Sequence, residues 1–190
     1  MPDYRLFIAV ELPDEVQQEL AGVQKQLQTA PAVRWTKPHQ IHLTLQFLGN
    51  TPAEQVAPLS QALQETVGTV AGFNLLLAKI GAFPNAHRAR IIWAGIATGK
   101  ESLQQLYQAV INATQSLGFE PEKRAFKPHL TIGRVQKWAT PRDLSGIAKT
   151  LRQTEVGSIA AFPVNQIALI KSELKPSGPV YTPLAHINLG

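Results

Sequence analysis

The sequence predicts an α+β fold of two similar lobes, each an antiparallel sheet with flanking helices, around a central cleft. Three observations carry that expectation. A strand motif, Ile41-His42-Leu43-Thr44-Leu45, recurs once as Pro128-His129-Leu130-Thr131-Ile132. Strand alternation and helical periodicity are interspersed along the chain. Each motif strand is followed by a turn and a Thr-Pro-x-acid helix start, Thr51-Pro52-Ala53-Glu54 and Thr140-Pro141-Arg142-Asp143, so the recurring unit is larger than the strand. No linker or composition shift divides the halves, and residues 1–190 are read as one bilobal domain.

Taken in order, Tyr4 to Glu11 alternates Leu6, Ile8 and Val10 against Arg5, Phe7 and Ala9, a first strand. Pro13 and Asp14 open a helix whose Val16, Leu20, Val23 and Leu27 keep helical spacing. Val33-Arg34-Trp35 is a short extended piece, and Lys37-Pro38 leads into the first motif strand, which Gly49-Asn50 ends. A capping box at Thr51 starts a helix to about Val67. Phe73 to Ile80 and Arg90 to Gly95 are strands, with Gly81-Ala82-Phe83-Pro84-Asn85 as the loop between them. Glu101 to Leu117 is an amphipathic helix closed by Gly118, and Phe119 to Lys127 is a basic approach to the second motif strand. Beyond the Thr140 helix lie strands Ile159 to Val164, Gln166 to Leu174 and Val180 to Leu189, the last two joined by a turn at Lys175-Pro176-Ser177-Gly178.

Side chains alternate faces along a strand, so the first motif puts Gln40, His42, Thr44 and Gln46 on one face. Ile41, Leu43, Leu45 and Phe47 fall on the other, the core side. The open face carries an imidazole with a hydroxyl two residues on, about 7 Å along the strand. His129 and Thr131 repeat the arrangement in front of Leu130 and Ile132. With five histidines in 190 residues, His-x-Thr-hydrophobic should arise by chance roughly 0.15 times, so two copies point to paired function. The lettering Lys37-Pro38-His39 also matches Lys127-Pro128-His129, but Thr44 and the apolar flanks assign the register to His42.

Composition narrows the chemistry. The chain has no cysteine, which removes disulfides, thiolate nucleophiles and Cys-based metal sites and favours a reducing compartment, read as the cytoplasm. No apolar run reaches membrane-spanning length and the N-terminus has no leader-like stretch, so no membrane association is expected. The net charge of +5 favours an anionic partner. Phosphate-loop and Gly-x-Ser-x-Gly patterns are absent. No carboxylate lies near either motif, and strand parity separates His39 from His42, so no metal site is expected. His87 and His186 belong to no motif and are assigned to the surface.

Histidine, with an unperturbed pKa of about 6.5, takes and gives protons near neutrality. Two across one cleft can divide the labour of base and acid, while threonine hydroxyls donate hydrogen bonds to an anion between them. A phosphodiester fits that arrangement.

His42-Leu43-Thr44-Leu45 and His129-Leu130-Thr131-Ile132 resemble the paired His-x-Thr-x motifs of the 2H phosphoesterases. The wider context is similar to the RNA 2′,3′-cyclic phosphodiesterases, or 2′-5′ RNA ligases: Arg5-Leu6-Phe7-Ile8-Ala9, Phe47-Leu48-Gly49, Gly81-Ala82-Phe83-Pro84, Lys127 to Arg134, and Ser172-Glu173-Leu174 with Gly178 and Tyr181. The resemblance implies a pseudo-twofold fold and opening of a terminal 2′,3′-cyclic phosphate to a 2′-phosphate, without metal, ATP or other cofactor. It makes His129 the general base, His42 the general acid, and Thr44 and Thr131 the holders of the phosphoryl oxygens. In reverse, a 5′-hydroxyl would replace water and form a 2′-5′ linkage. The partners are then RNA ends or nucleotides carrying the cyclic phosphate, bound by a monomer. The resemblance also makes Arg134 a phosphate ligand, whereas regular alternation points it away from His129; a bulge at Gly133 would turn it back. Phe7 is a candidate for stacking a base, Tyr181 and Ser172 for lining the site, and Phe47 is assigned to core packing. Two rivals are an RNA-binding module without chemistry and a 2H enzyme for another cyclic phosphate or a 2′-5′ oligonucleotide.

Overall fold

A computed structural model of the chain describes residues 2–28, 32–176 and 178–190. Nine strands form one sheet: β1 (Asp3–Glu11), β2 (Val33–Trp35), β3 (His42–Pro52), β4 (Phe73–Phe83), β5 (Ile91–Thr98), β6 (His129–Val135), β7 (Ser158–Val164), β8 (Gln166–Lys175) and β9 (Gly178–Asn188). Four helices accompany it: α1 (Asp14–Gln26), α2 (Val56–Val67), α3 (Lys100–Gln115) and α4 (Pro141–Gln153). The strand order is β7-β4-β5-β6-β3-β1-β8-β9, every pairing is antiparallel, and β2 lies beside β6. The arrangement is the expected α+β fold of two matched halves.

The order is symmetric about the motif strands. β3 and β6 meet at the centre, each flanked by the strand that precedes it through a helix, β1 and β5. Alternation in β1 sends Leu6, Ile8 and Val10 into one core with Val16, Leu20 and Val23 of α1, Leu59 and Leu63 of α2, Leu103 and Leu106 of α3 and Ile147 of α4. All four helices therefore cover one face of the sheet. Leu43, Leu45, Leu130 and Ile132 are buried in that core. At roughly 1.5–3 kcal/mol per large apolar side chain, their burial fixes which face of β3 and β6 stays open. A separate, smaller cluster of Phe7, Ala9, Ala168 and Ile170, with Tyr181 against it, lies on the open side.

Two segment boundaries differ from the sequence reading. Thr51 caps no helix: it is fully buried within β3, opposite Tyr4, and Pro52 pairs with Asp3. Strand pairing with the start of β1 outcompetes the local cap, and α2 begins only at Val56, after a 3-10 turn over Ala53–Gln55. The Thr140 box does form, Thr140 and Asp143 each bonding the other's backbone N–H. The segment Gly81 to Phe83 is strand rather than loop, because β4 continues opposite Ile91 to Trp93. Gly118 closes α3 as expected, at φ +86°, with the Phe119 N–H donating to the Thr114 carbonyl. In the β8–β9 turn, Ser177 lies outside the described residues.

Candidate active site

β3 and β6 pair at a single position, Leu43 opposite Leu130, so the two strands part on either side of it. Counting outward in that antiparallel register, His42 falls level with Thr131 and Thr44 level with His129. The four polar side chains thus share the open face at the centre of the sheet. Each imidazole is held in the same way. His42 Nδ1–H donates to the Gln40 carbonyl at 2.9 Å, and His129 Nδ1–H donates to the Lys127 carbonyl at 2.7 Å. A carbonyl only accepts, so both rings carry their proton on Nδ1 and leave Nε2 free. The Gln40 side chain in turn donates to the Pro179 carbonyl at 2.7 Å, tying the approach of the first motif to β9.

Two bulges determine what else the open face carries. In β3, Ala9 lies opposite Thr44 but Ile8 lies opposite Gln46, so Leu45 is an extra residue. The face pattern shifts by one: Gln46 turns into the core, 2% exposed, with its Oε1 accepting from Thr114 Oγ1 at 2.8 Å. Phe47 turns outward, opposite Phe7, 54% exposed. Both sequence assignments for this pair are thereby reversed, because regular alternation holds only up to the bulge. In β6, Trp93 lies opposite Thr131 and Ile92 opposite Gly133, so Ile132 is the extra residue. Gly133 then faces inward, where a Cβ would meet Val33 Cγ1 at 2.9 Å and Trp35 Cε3 at 3.0 Å.

The same bulge brings Arg134 onto the open face. Its charge acts on both His42 and Tyr181. The carbonyl of the bulged Ile132 accepts twice, from the Thr36 N–H at 3.0 Å and from Gln24 Nε2 at 2.8 Å. Gln24 is itself buried and also donates to the Thr36 carbonyl at 2.7 Å. Nothing in α1's periodicity singles out Gln24, which sits beside the apolar stripe as one more helical polar residue.

The two histidines have unlike surroundings. His42 lies against aromatic rings, with Phe7 at 4.7 Å and Tyr181 edge-on at 5.2 Å between centroids. Burial pushes its pKa down; the Gln40 carbonyl pulls the other way, the Arg134 cation lowers it further, and Glu11 raises it. Tyr181 is pushed up by burial, against the cations of Arg134 and Arg5. His129 stands edge-on to Phe83 at 4.9 Å, and Phe83 leans on Trp93 at 5.4 Å. Trp93 was not singled out from the sequence, and Phe83 entered only as part of the Gly81-Ala82-Phe83-Pro84 match, with no site role, because its segment reads as a loop.

Phe7 is 3% exposed and supports His42 from below, so its ring offers no free face for a base; the burial of β1 at the centre of the sheet accounts for this. Phe47 carries the open ring on this side. Ser172 pairs opposite Tyr181 across β8 and β9. Of the remaining histidines, His39 is exposed in a 3-10 turn, His87 lies 3.3 Å from Arg152, and His186 Nε2 lies 2.8 Å from Glu11 Oε2 beside the open face. Among the described residues no helix is long and apolar enough to cross a membrane.

Fold and site together define a two-histidine phosphoesterase architecture, with one motif contributed by each of two halves of the chain. A model of the LigT-like phosphoesterase family matches residues 10–93 and 96–181, one segment for each motif. The chain is 34% identical to an RNA 2′,3′-cyclic phosphodiesterase of Thermus thermophilus, over 97% of this chain and 90% of that one. It is 31% identical to the RNA 2′,3′-cyclic phosphodiesterase of Methanothermobacter thermautotrophicus, over 94% and 95%. Among solved structures, E. coli LigT complexed with 3′-AMP superposes with a TM-score of 0.79 at 25% identity, covering 98% of both chains. A Thermus thermophilus protein superposes at 0.80 with 30% identity and 97% coverage of both. The chain belongs to the LigT-like phosphoesterase family.

Proposed function

We propose that this chain is an RNA 2′,3′-cyclic phosphodiesterase that opens a terminal 2′,3′-cyclic phosphate to a 2′-phosphomonoester. The observation that carries the reading is the identical anchoring of His42 and His129 through Nδ1, which presents two Nε2 atoms to one open face. His129 Nε2 takes a proton from water as its oxygen bonds to phosphorus. His42 Nε2–H protonates the 3′ oxygen as its bond to phosphorus breaks. Thr44 and Thr131 donate hydrogen bonds to the non-bridging oxygens, and Arg134 offsets their charge. A lowered pKa makes His42 a stronger acid, and the phosphodiester anion beside it favours the protonated form on binding. With a 5′-hydroxyl in place of water, the reverse step forms a 2′-5′ linkage.

The identity of the substrate draws on the relatives' names and on 3′-AMP, a ribonucleotide, in the E. coli LigT crystal. The protein acts as a monomer and a single bilobal unit, in a reducing compartment suited to a chain without cysteine. In a test on a 2′,3′-cyclic nucleotide with excess chelator, the wild type should turn over undiminished. His42→Ala and His129→Ala should each lose about 10²–10⁴-fold while remaining folded. A folded variant with near-full activity, or a wild type that needs a divalent ion, would sink the scheme.

A further inference from the structure

We infer that Arg34 forms a second phosphate subsite, which binds the phosphodiester joining the terminal nucleotide of an RNA strand to its neighbour. The inference rests on the proposed function and extends it from the reacting phosphate to the strand behind it. β2 covers the edge of β6 beyond the point where β3 departs, with Arg34 directly opposite Arg134. Residues directly opposite in an antiparallel pair share a face, with Cβ atoms about 4.5–5.5 Å apart. Both neighbours of Arg34 point into the core: Val33 is 8% exposed, and Trp35 packs against the main core cluster. Arg34 therefore stands on the open face, exposed, one strand farther from the histidines' meeting point than Arg134.

Like charges directly opposite one another destabilise a sheet. Among the described residues Lys171–Glu173 is the one contact between a lysine or arginine and a carboxylate, and no carboxylate reaches either arginine. An anion between or beside two guanidiniums turns that repulsion into two charge-assisted contacts. Arg134, whose charge reaches His42, is placed for the reacting phosphate. Arg34, lateral to it, is left for the next phosphate of the strand. A mononucleotide cyclic phosphate has no such group.

The test compares kcat/KM for a 2′,3′-cyclic mononucleotide, the same mononucleotide with a 5′-phosphate, and a dinucleotide ending in the cyclic phosphate. Arg34→Ala should lower kcat/KM for the dinucleotide about ten- to a hundredfold more than for the plain mononucleotide. It should also flatten the dinucleotide's slope of log(kcat/KM) against log salt by about 0.7, one phosphate contact on a single strand. Arg34→Lys, which keeps the charge, should retain most of the salt slope while losing part of the dinucleotide preference. Equal losses on dinucleotide and plain mononucleotide would assign Arg34 to the reacting phosphate. No loss on any substrate would make it an ordinary surface residue, and a loss confined to the 5′-phosphorylated mononucleotide would assign a phosphomonoester site. Each of these results overturns the inference. The wild-type rate on the plain mononucleotide tests the underlying function separately.

Discussion

Phe47 and Arg134 occupy equivalent positions in the two halves of the sheet, each turned onto the open face by a one-residue bulge just after its motif threonine. The repeated unit thus places an aromatic ring on one side of the paired histidines and a cation on the other. A substrate with a planar base and an anionic phosphate has both kinds of partner, and the asymmetry orients it.

Phe47→Ala should therefore raise KM for a cyclic nucleotide about five- to a hundredfold, the usual worth of base–aromatic stacking, and leave folding intact. Phe7→Ala should act through the fold instead, because Phe7 is buried, and cost about 3–5 kcal/mol of stability. Enzyme kinetics and thermal melting on the two variants check the contrast. A Phe47→Ala enzyme with unchanged KM would remove the ring from the substrate's path.

Gln24, on α1, donates a buried hydrogen bond to the bulged residue of β6. Gln24→Leu strips the Ile132 and Thr36 carbonyls of a buried donor, which should cost roughly 1–3 kcal/mol of stability. If the bulge aims Arg134, kcat/KM should fall as well, and Gln24→Leu combined with Arg134→Ala should lose less than the sum of the two. Full additivity in that cycle would mean that Gln24 supports the fold alone.

Arg134 also tunes His42. Removing a cation favours the protonated imidazole, so in Arg134→Ala the His42 pKa should rise toward 6.5 while burial, the larger influence, still holds it below. NMR titration of the ring protons reads this directly, and an unchanged or lower value would contradict it. Because the folded pKa is depressed, the stability contributed by neutral His42 is present above about pH 6.5 and lost as pH falls through the folded value. His42→Phe should flatten that acid limb of the stability profile.

Much of this was legible in the sequence, for identifiable reasons. The recurrence of His-x-Thr, with apolar residues at the alternate positions, is a period-2 pattern that only a half-buried strand satisfies, and it placed all four polar side chains on one face. All four helices were marked as well, α1 and α3 by apolar stripes and α2 and α4 by their Thr-Pro-x-acid lettering. What escaped was non-local. Alternation cannot announce a bulge, so Gln46 and Phe47 exchanged faces; for Arg134 the resemblance had already called for a bulge at Gly133 against strand parity, and the extra residue is its neighbour Ile132. Thr51 has the lettering of a helix cap, yet pairing with Tyr4 far along the chain takes precedence. Phe83 reads as part of a Gly/Pro-rich loop until β5 recruits it as strand, and Phe7 reads as an available ring until β8 covers its flank.

The most direct test of the central claim is phosphorus NMR of the product formed from a 2′,3′-cyclic nucleotide. With His42 as the proton donor to the 3′ oxygen, the only phosphomonoester should be the 2′-phosphate, and its formation should fail in His42→Ala and in His129→Ala. A 3′-phosphate product would leave two histidines at work but reverse the oxygen they expel, and formation of either product without them would contradict the account.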